Sequence, residues 1–115
     1  MPIINKKFNI AIGATVFPLQ GSQYEYLPFN ALVEFAMREF TGTAAEGVQA
    51  TVYSGSDLLQ EQSDVDYEDG NSRLRYPDDF LLQDVAAAGE RIGIQMTNPG
   101  TGIAEAAVSV RITPL

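Results

Sequence analysis

Residues 89–115 read GERIGIQMTNPGTGIAEAAVSVRITPL and decide the fold class of this chain. Two alternating apolar and polar stretches lie on either side of the turn sequence Asn-Pro-Gly-Thr-Gly. The apolar residues that share one face are Ile92, Ile94 and Met96 in the first stretch and Val108, Val110 and Ile112 in the second. A period of two predicts strands with one buried face each. The stretch therefore predicts a β-hairpin that packs inside a layered antiparallel scaffold.

Further short apolar segments predict strands in the rest of the chain. These segments are 8–16, 48–53, 58–62 and 80–85. Turn residues separate them, and neither a linker nor an internal repeat divides the sequence. We therefore predict an all-β protein: a single antiparallel β-sandwich domain over residues 1–115, with seven or eight short strands.

Residues 31–40, ALVEFAMREF, fit either a helix or a strand. The segment is rich in helix formers, and Glu34 and Arg38 have the i,i+4 spacing of a helical ion pair. Against this, apolar side chains alternate with the others at Val33, Phe35 and Met37. The alternation favours a strand, since tertiary context often overrides local propensity in an otherwise β chain.

Composition excludes several kinds of function. The chain of 115 residues contains no cysteine and no histidine, which removes thiolate chemistry, the commonest general base and the commonest transition-metal ligand. No catalytic motif is present, and we predict that the protein is not an enzyme and takes no small-molecule substrate. The net charge of −8 opposes binding to phosphate backbones, so we expect no direct nucleic-acid contact.

No membrane span or secretion signal is predicted. The sequence has no run of about 18 apolar residues, the length that a spanning helix needs. Lys6 and Lys7 precede an apolar segment in the manner of a signal peptide, but Asn9 interrupts that segment.

Acidic residues concentrate in one part of the chain, where nine of the fifteen lie within residues 57–84. Asp64, Asp66 and Glu68 have the spacing of the first oxygen ligands in a calcium-binding loop. The pattern then fails, because Asp69 stands where that loop needs glycine and Arg75 where it needs glutamate. A solvated polar loop is the favoured interpretation, so no cofactor is predicted, and a calcium site at these three residues is the alternative.

Six residues are candidates for an interaction surface. They are Tyr24, Tyr26, Tyr67, Tyr76, Pro99 and Gly100. Tyrosine combines an apolar ring with a polar tip, which suits subunit contacts and also the stacking of sugars. The Pro-Gly pair belongs to a turn, and turns at the end of a sandwich commonly carry binding contacts.

The run DDFLLQDVAAAGERIGIQMTNPGTGIAEAAVSVRITPL, residues 78–115, resembles the closing strands of viral jelly-roll proteins of the bacteriophage type. The resemblance covers about a third of the chain and brings no catalytic or ligand motif with it. It implies a jelly-roll-like sandwich and a structural role in a virion, which is assembled in the host cytoplasm. The implied partners are copies of the same chain and other virion proteins.

The sequence departs from capsid proteins that line a genome, since these carry a basic arm and only Lys6 and Lys7 approach one here. A capsid layer away from the genome, or a decoration, vertex or spike-base component, is therefore expected. The alternative hypothesis is a carbohydrate-binding or adhesion module that uses the tyrosines and a calcium-binding acidic loop.

Overall fold

Eight strands form the protein in a computed structural model that describes residues 2–42, 45–76 and 78–115. The strands are β1 (Ile3–Ile10), β2 (Thr15–Val16), β3 (Ala31–Glu39), β4 (Gln49–Ser54), β5 (Asp57–Asp64), β6 (Leu82–Ala86), β7 (Ile92–Thr97) and β8 (Ala104–Pro114). The described residues include no helix that is long and apolar enough to cross a membrane. The predicted all-β class and strand number are confirmed.

The strands form two antiparallel four-stranded sheets. The first sheet has the order β1-β8-β3-β6, and the second has the order β2-β7-β4-β5. Strands that follow one another in sequence therefore lie mostly in opposite sheets, and β4 and β5 are the consecutive pair that hydrogen-bonds directly. Two packed sheets with eight strands in this order form a jelly roll.

The predicted hairpin at the end of the chain is wrong in its pairing, although both of its strands exist. Strand β7 pairs with β2 and β4 in the second sheet, whereas β8 pairs with β1 and β3 in the first. The connection of residues 98–103 thus crosses from one sheet to the other. The alternating pattern fixes which face of each strand is buried, but it does not say whether the two strands meet edge to edge or face to face.

The core lies between the two inner faces. From the first sheet, β3 and β8 contribute Val33, Phe35, Val108, Val110 and Ile112. From the second sheet, β4 and β7 contribute Ala50, Val52, Ile92, Ile94 and Met96. The apolar faces read from the sequence therefore meet across the sandwich, as aligned sheets do when they bury one face each.

The ambiguous segment 31–40 is a strand, and it is the central element of the first sheet. Strand β3 hydrogen-bonds to β8 over its whole length and to β6 over its first half. These two partners satisfy the backbone on both sides, so tertiary pairing overrides the helical propensity of the residues. Val33 and Phe35 face the core, and Glu34 and Arg38 face outward.

The segment 8–16, predicted as one strand, is two strands with a turn between them. Strand β1 begins earlier, at Ile3, and ends at Ile10, and the chain then crosses to the second sheet. Gly13 has a φ of 70° in the turn, a conformation that glycine adopts without strain. The alternation continues into residues that turn, which is why the sequence pattern overran the end of β1.

The connection between β5 and β6, residues 65–81, is called the strap here. Arg38 on the outer face of β3 binds Asp66 and Asp79 from the strap, and Tyr76 of the strap lies over the Arg111 side chain of β8. The strap thus crosses the outward face of the first sheet. The outer-face residues Ala36, Ala107 and Ser109 are buried, unlike those of an open sheet.

Candidate interaction surface

The turn of residues 98–103 lies at one end of the sandwich and is fixed by Asn98. The side chain of Asn98 is fully buried; its Nδ2 donates to the carbonyl of Ile10 at 3.0 Å and to that of Gly102 at 2.8 Å. Its Oδ1 accepts from the Gly100 amide at 2.9 Å. A buried amide with these bonds made holds its surroundings in one geometry. The turn is therefore anchored to the end of β1.

A carboxylate from the β3–β4 connection holds the same turn from the other side. The Glu46 Oε1 accepts hydrogen bonds from the Thr101 amide at 3.0 Å and from the Gly102 amide at 2.8 Å. The Glu46 amide in turn donates to Glu39 at 2.7 Å. Bonds of this kind to an ionised acceptor are stronger than neutral ones.

Exposed apolar side chains surround this anchored turn. Ile103 is the last residue of the turn, and Ile12 lies in the neighbouring connection between β1 and β2, which is tied to Asn98 by two backbone hydrogen bonds. Pro99 is exposed and Gly100 is partly buried against Glu46. The predicted turn candidates thus lie on a fixed, partly apolar end of the molecule.

Gly100 cannot accept a side chain without disturbing this turn. A Cβ at that position would lie 2.7 Å from the backbone oxygen of Glu46 and would also clash with its side chain. We predict that Gly100→Ala lowers the free energy of unfolding by about 1–3 kcal/mol, measured by chemical denaturation. Gly42→Ala is the matched control, since a Cβ there meets nothing within 4 Å. Equal stability of the two variants would contradict this description of the turn.

The four candidate tyrosines lie in different places. Tyr24 packs partly against the core, and Tyr26 is exposed with the Arg91 guanidinium 6.0 Å from its ring centroid. Tyr76 carries the Arg111 guanidinium 3.6 Å from its ring centroid and meets the edge of Phe80 at 5.4 Å. The ring of Tyr76 is therefore engaged within the molecule, and the tyrosines do not form one platform.

Tyr67 joins the strap to the end of β3. Its hydroxyl donates to the carbonyl of Thr41 at 2.8 Å. Burial raises the pKa of this phenol, and the charges of Asp69 and Glu39 raise it further. The hydroxyl therefore stays protonated and remains a donor at neutral pH.

The three acids of the predicted calcium loop are engaged elsewhere. Asp66 and Glu68 lie 3.4 Å and 3.6 Å from the guanidinium of Arg38, and Asp64 accepts from the side chain of Gln49 at 3.3 Å. Within residues 2–42, 45–76 and 78–115, no three side chains of the metal-binding types form a group that could hold an ion. The acids of the strap surround a protein cation.

Arg38 is the central residue of the contacts between the strap and the first sheet. Its i,i+4 spacing from Glu34 in the sequence does not predict this role. Its side chain is 6 % exposed and donates to Asp79 at 2.9 Å and to the Arg73 carbonyl at 2.7 Å, in addition to Asp66. Arg38 would pair with Glu34 in the helical alternative for this segment. On a strand both point outward, and the signal that was available is a cation on a predicted strand followed by an acid-rich connection.

Glu39 is a buried carboxylate at the end of the sandwich where the turn of residues 98–103 lies. Its oxygens accept from the Thr41 hydroxyl and the Glu46 amide, each at 2.7 Å, and from the Val48 amide at 3.2 Å. Three donors compensate the cost of burying this group. These three hydrogen bonds explain why an acid can be the last residue on the inward face of β3.

Glu25 and Arg91 form an ion pair at the opposite end. The Glu25 carboxylate accepts from the Gly21 amide at 3.0 Å and from Arg91 at 2.7 Å. Both bonds favour its charged form, so the pKa of Glu25 lies below its ordinary value. The same pair raises the pKa of Arg91.

This pair predicts an acid-sensitive contribution to stability. Because the folded-state pKa of Glu25 is lowered, the contribution is present above the unfolded pKa of about 4.3 and is lost as the pH falls through the folded value. When the pH is lowered from about 5 to about 3, the melting temperature of Glu25→Gln is therefore expected to fall less than that of the wild type. Glu61→Gln, at an exposed position in β5, should follow the wild type. If Glu25→Gln also follows it, the ion pair has no such role.

Comparisons of the chain with protein-family models, with curated proteins and with solved structures give no match. What the residues do must therefore be derived from their geometry, exposure and charge.

Proposed function

We propose that the protein is a non-enzymatic structural component of a virion that acts by packing copies of itself side by side. The observation that carries the proposal is a jelly roll with many large apolar side chains on its outside. They include Ile3, Ile12, Phe17, Leu58, Leu81, Val85, Ile103 and Leu115. Jelly-roll domains occur in virus capsids and in lectins, and apolar side chains that are exposed in one copy can be buried against another.

The charge of the protein narrows the role. At a net charge of −8, it repels phosphate, so we place it in a capsid layer away from the genome, or as a decoration, vertex or spike-base component. The same charge keeps unassembled copies apart in solution until apolar contacts form. Other virion proteins are the further partners.

The positions of the tyrosines and acids favour this role over a carbohydrate-binding or adhesion module. Sugar stacking needs free aromatic faces, but the face of Tyr76 is covered by Arg111 and the hydroxyl of Tyr67 is bonded within the chain. A calcium loop needs free carboxylates, and those of Asp66 and Glu68 bind Arg38. Tyr26 is the most exposed of the tyrosines, and it is a single ring rather than a stacking platform.

Light scattering over a range of concentrations, with calcium and with a chelator, tests the proposal. We expect a mass above that of the 12.5 kDa monomer that increases with concentration and does not depend on calcium. A strict monomer whose melting temperature rises with calcium, and which binds glycans, would overturn the proposal in favour of the module.

A further inference from the structure

Each sheet has two edge strands, which are paired with a neighbouring strand on one side alone. Strands β1 and β2 are the edges on one side, and β5 and β6 are the edges on the other. Each such strand has an outer row of backbone groups without a strand partner, and proteins use such rows for association or protect them with charge.

The two sides carry charges of opposite sign. On β1 and β2 the charged residues are Lys6 and Lys7, with no acid. On β5 and β6 they are Asp57, Glu61, Asp64 and Asp84, with no base. Lys6, Lys7 and the three acids of β5 are exposed. We call these the basic side and the acidic side.

Each side also carries apolar surface that a contact could bury. Ile3 on β1 and Phe17 after β2 are exposed on the basic side, and Leu58 on β5 and Val85 on β6 are exposed on the acidic side. Burial of such side chains supplies affinity, while charge complementarity selects the orientation. Both requirements of a specific contact are therefore present on both sides.

Lys6 and Asp84 show what kind of contact this is. Lys6 lies opposite Val108 and Asp84 lies opposite Val33, so both charged residues are on the inward face of an edge strand. Inward charges at an edge oppose the addition of another strand. The two sides therefore meet through side chains and do not extend one sheet into the next.

We infer that the occupant of the acidic side is the basic side of a second copy of this chain, which gives a head-to-tail assembly. The inference rests on the proposed function. Contacts between two like sides would bring equal charges together, whereas the head-to-tail contact brings opposite charges together. Such a heterologous contact generates a ring when its rotation closes, so each copy uses both sides at once.

A charge exchange between the two sides tests the inference. One variant carries Lys6→Glu and Lys7→Glu, and the other carries Glu61→Lys and Asp64→Lys. The first variant alone has acids on both sides. The second has no net charge on its acidic side, because Asp57 and Asp84 remain beside the two new lysines. Both lose the attraction between the two sides, so we expect the self-association of each, measured by sedimentation velocity, to weaken on the order of tenfold or more. In an equimolar mixture, the unchanged acidic side of the first variant meets the unchanged basic side of the second, and the new glutamates of the first meet the new lysines of the second. Association should therefore be regained. Asp69→Lys with Asp78→Lys, both in the strap, is the control with the same change in net charge as the acidic-side variant.

The outcomes separate this inference from the function on which it rests. If the wild type assembles but the variants associate as well as it does, or the mixture does not regain association, the head-to-tail contact is wrong and assembly proceeds through another surface. If the wild type stays monomeric, both are wrong. Should a variant fail to fold, the wild type alone decides: its association must weaken as salt rises from about 0.05 to about 0.5 M, and salt-independent association overturns the inference.

Discussion

Phe35→Ala is expected to lower the free energy of unfolding by about 3–5 kcal/mol. Phe35 is the largest side chain that is fully buried, and it lies on the inner face of β3 at the centre of the first sheet. Removal of the ring takes away its burial and leaves a cavity that two hydrogen-bonded neighbours of β3 keep from closing. Chemical denaturation of the variant and the wild type gives the difference.

Leu81→Ala is the matched control for this loss of apolar volume. Leu81 is 82 % exposed, so its truncation should change stability by about 0.5 kcal/mol or less. A cost at Phe35 no larger than that at Leu81 would mean that β3 does not have its inner face in the core.

Arg38→Ala is expected to release the strap from the first sheet and to destabilise the protein by about 1–3 kcal/mol, the cost of lost hydrogen bonds between charged groups. The substitution removes three hydrogen bonds to the strap and leaves Asp66 and Asp79 near each other without their cation. Arg73 and Arg75 lie in the strap and are exposed. Limited digestion with trypsin should therefore cut at these two sites faster in the variant than in the wild type.

Two further variants distinguish a specific contact from a general effect of charge. Arg38→Lys keeps the charge but loses the planar fork that binds two carboxylates and a carbonyl, so cleavage should remain faster than in the wild type. Glu61→Ala also changes the net charge by one unit, at an exposed position in β5, and should leave the cleavage rate unchanged. Equal cleavage of Arg38→Ala and the wild type would contradict the described contacts of the strap.

The sequence predicts which residues are buried better than it predicts which strands pair. The alternation in β7 and β8 correctly identifies their core faces, because side-chain direction follows from local geometry. Their placement in opposite sheets involves contacts between residues distant in sequence, such as that of the buried Asn98 amide with the carbonyl of Ile10. That partner lies 88 residues away, so no local pattern contains it.

For the candidate interaction surface, too, the sequence predicts local features better than contacts between distant residues. The sequence places Pro99 and Gly100 in a turn, but it does not show that Glu46 fixes this turn. The acids of the strap stand out in the composition, yet their partner Arg38 lies on a strand 28 residues from Asp66. Acid-rich connections are ordinarily solvated, and the long-range contact becomes evident once the outer face of β3 is known.

The charges on the edge strands can be interpreted once the strand order is known. Lys6 and Lys7 read as two isolated basic residues near the beginning of the sequence, and the acids of β5 read as part of a wider acidic region. The strand order places them on opposite sides of one sandwich. Opposite charge on opposite sides suits the head-to-tail contact that we infer.

Native mass spectrometry of the wild-type protein measures whether copies of the chain pack together, which is the basis of the proposed function. We expect a dominant species that contains two or more copies of the 12.5 kDa chain. Its population should increase with protein concentration. A single species of 12.5 kDa at every concentration would contradict the proposed function.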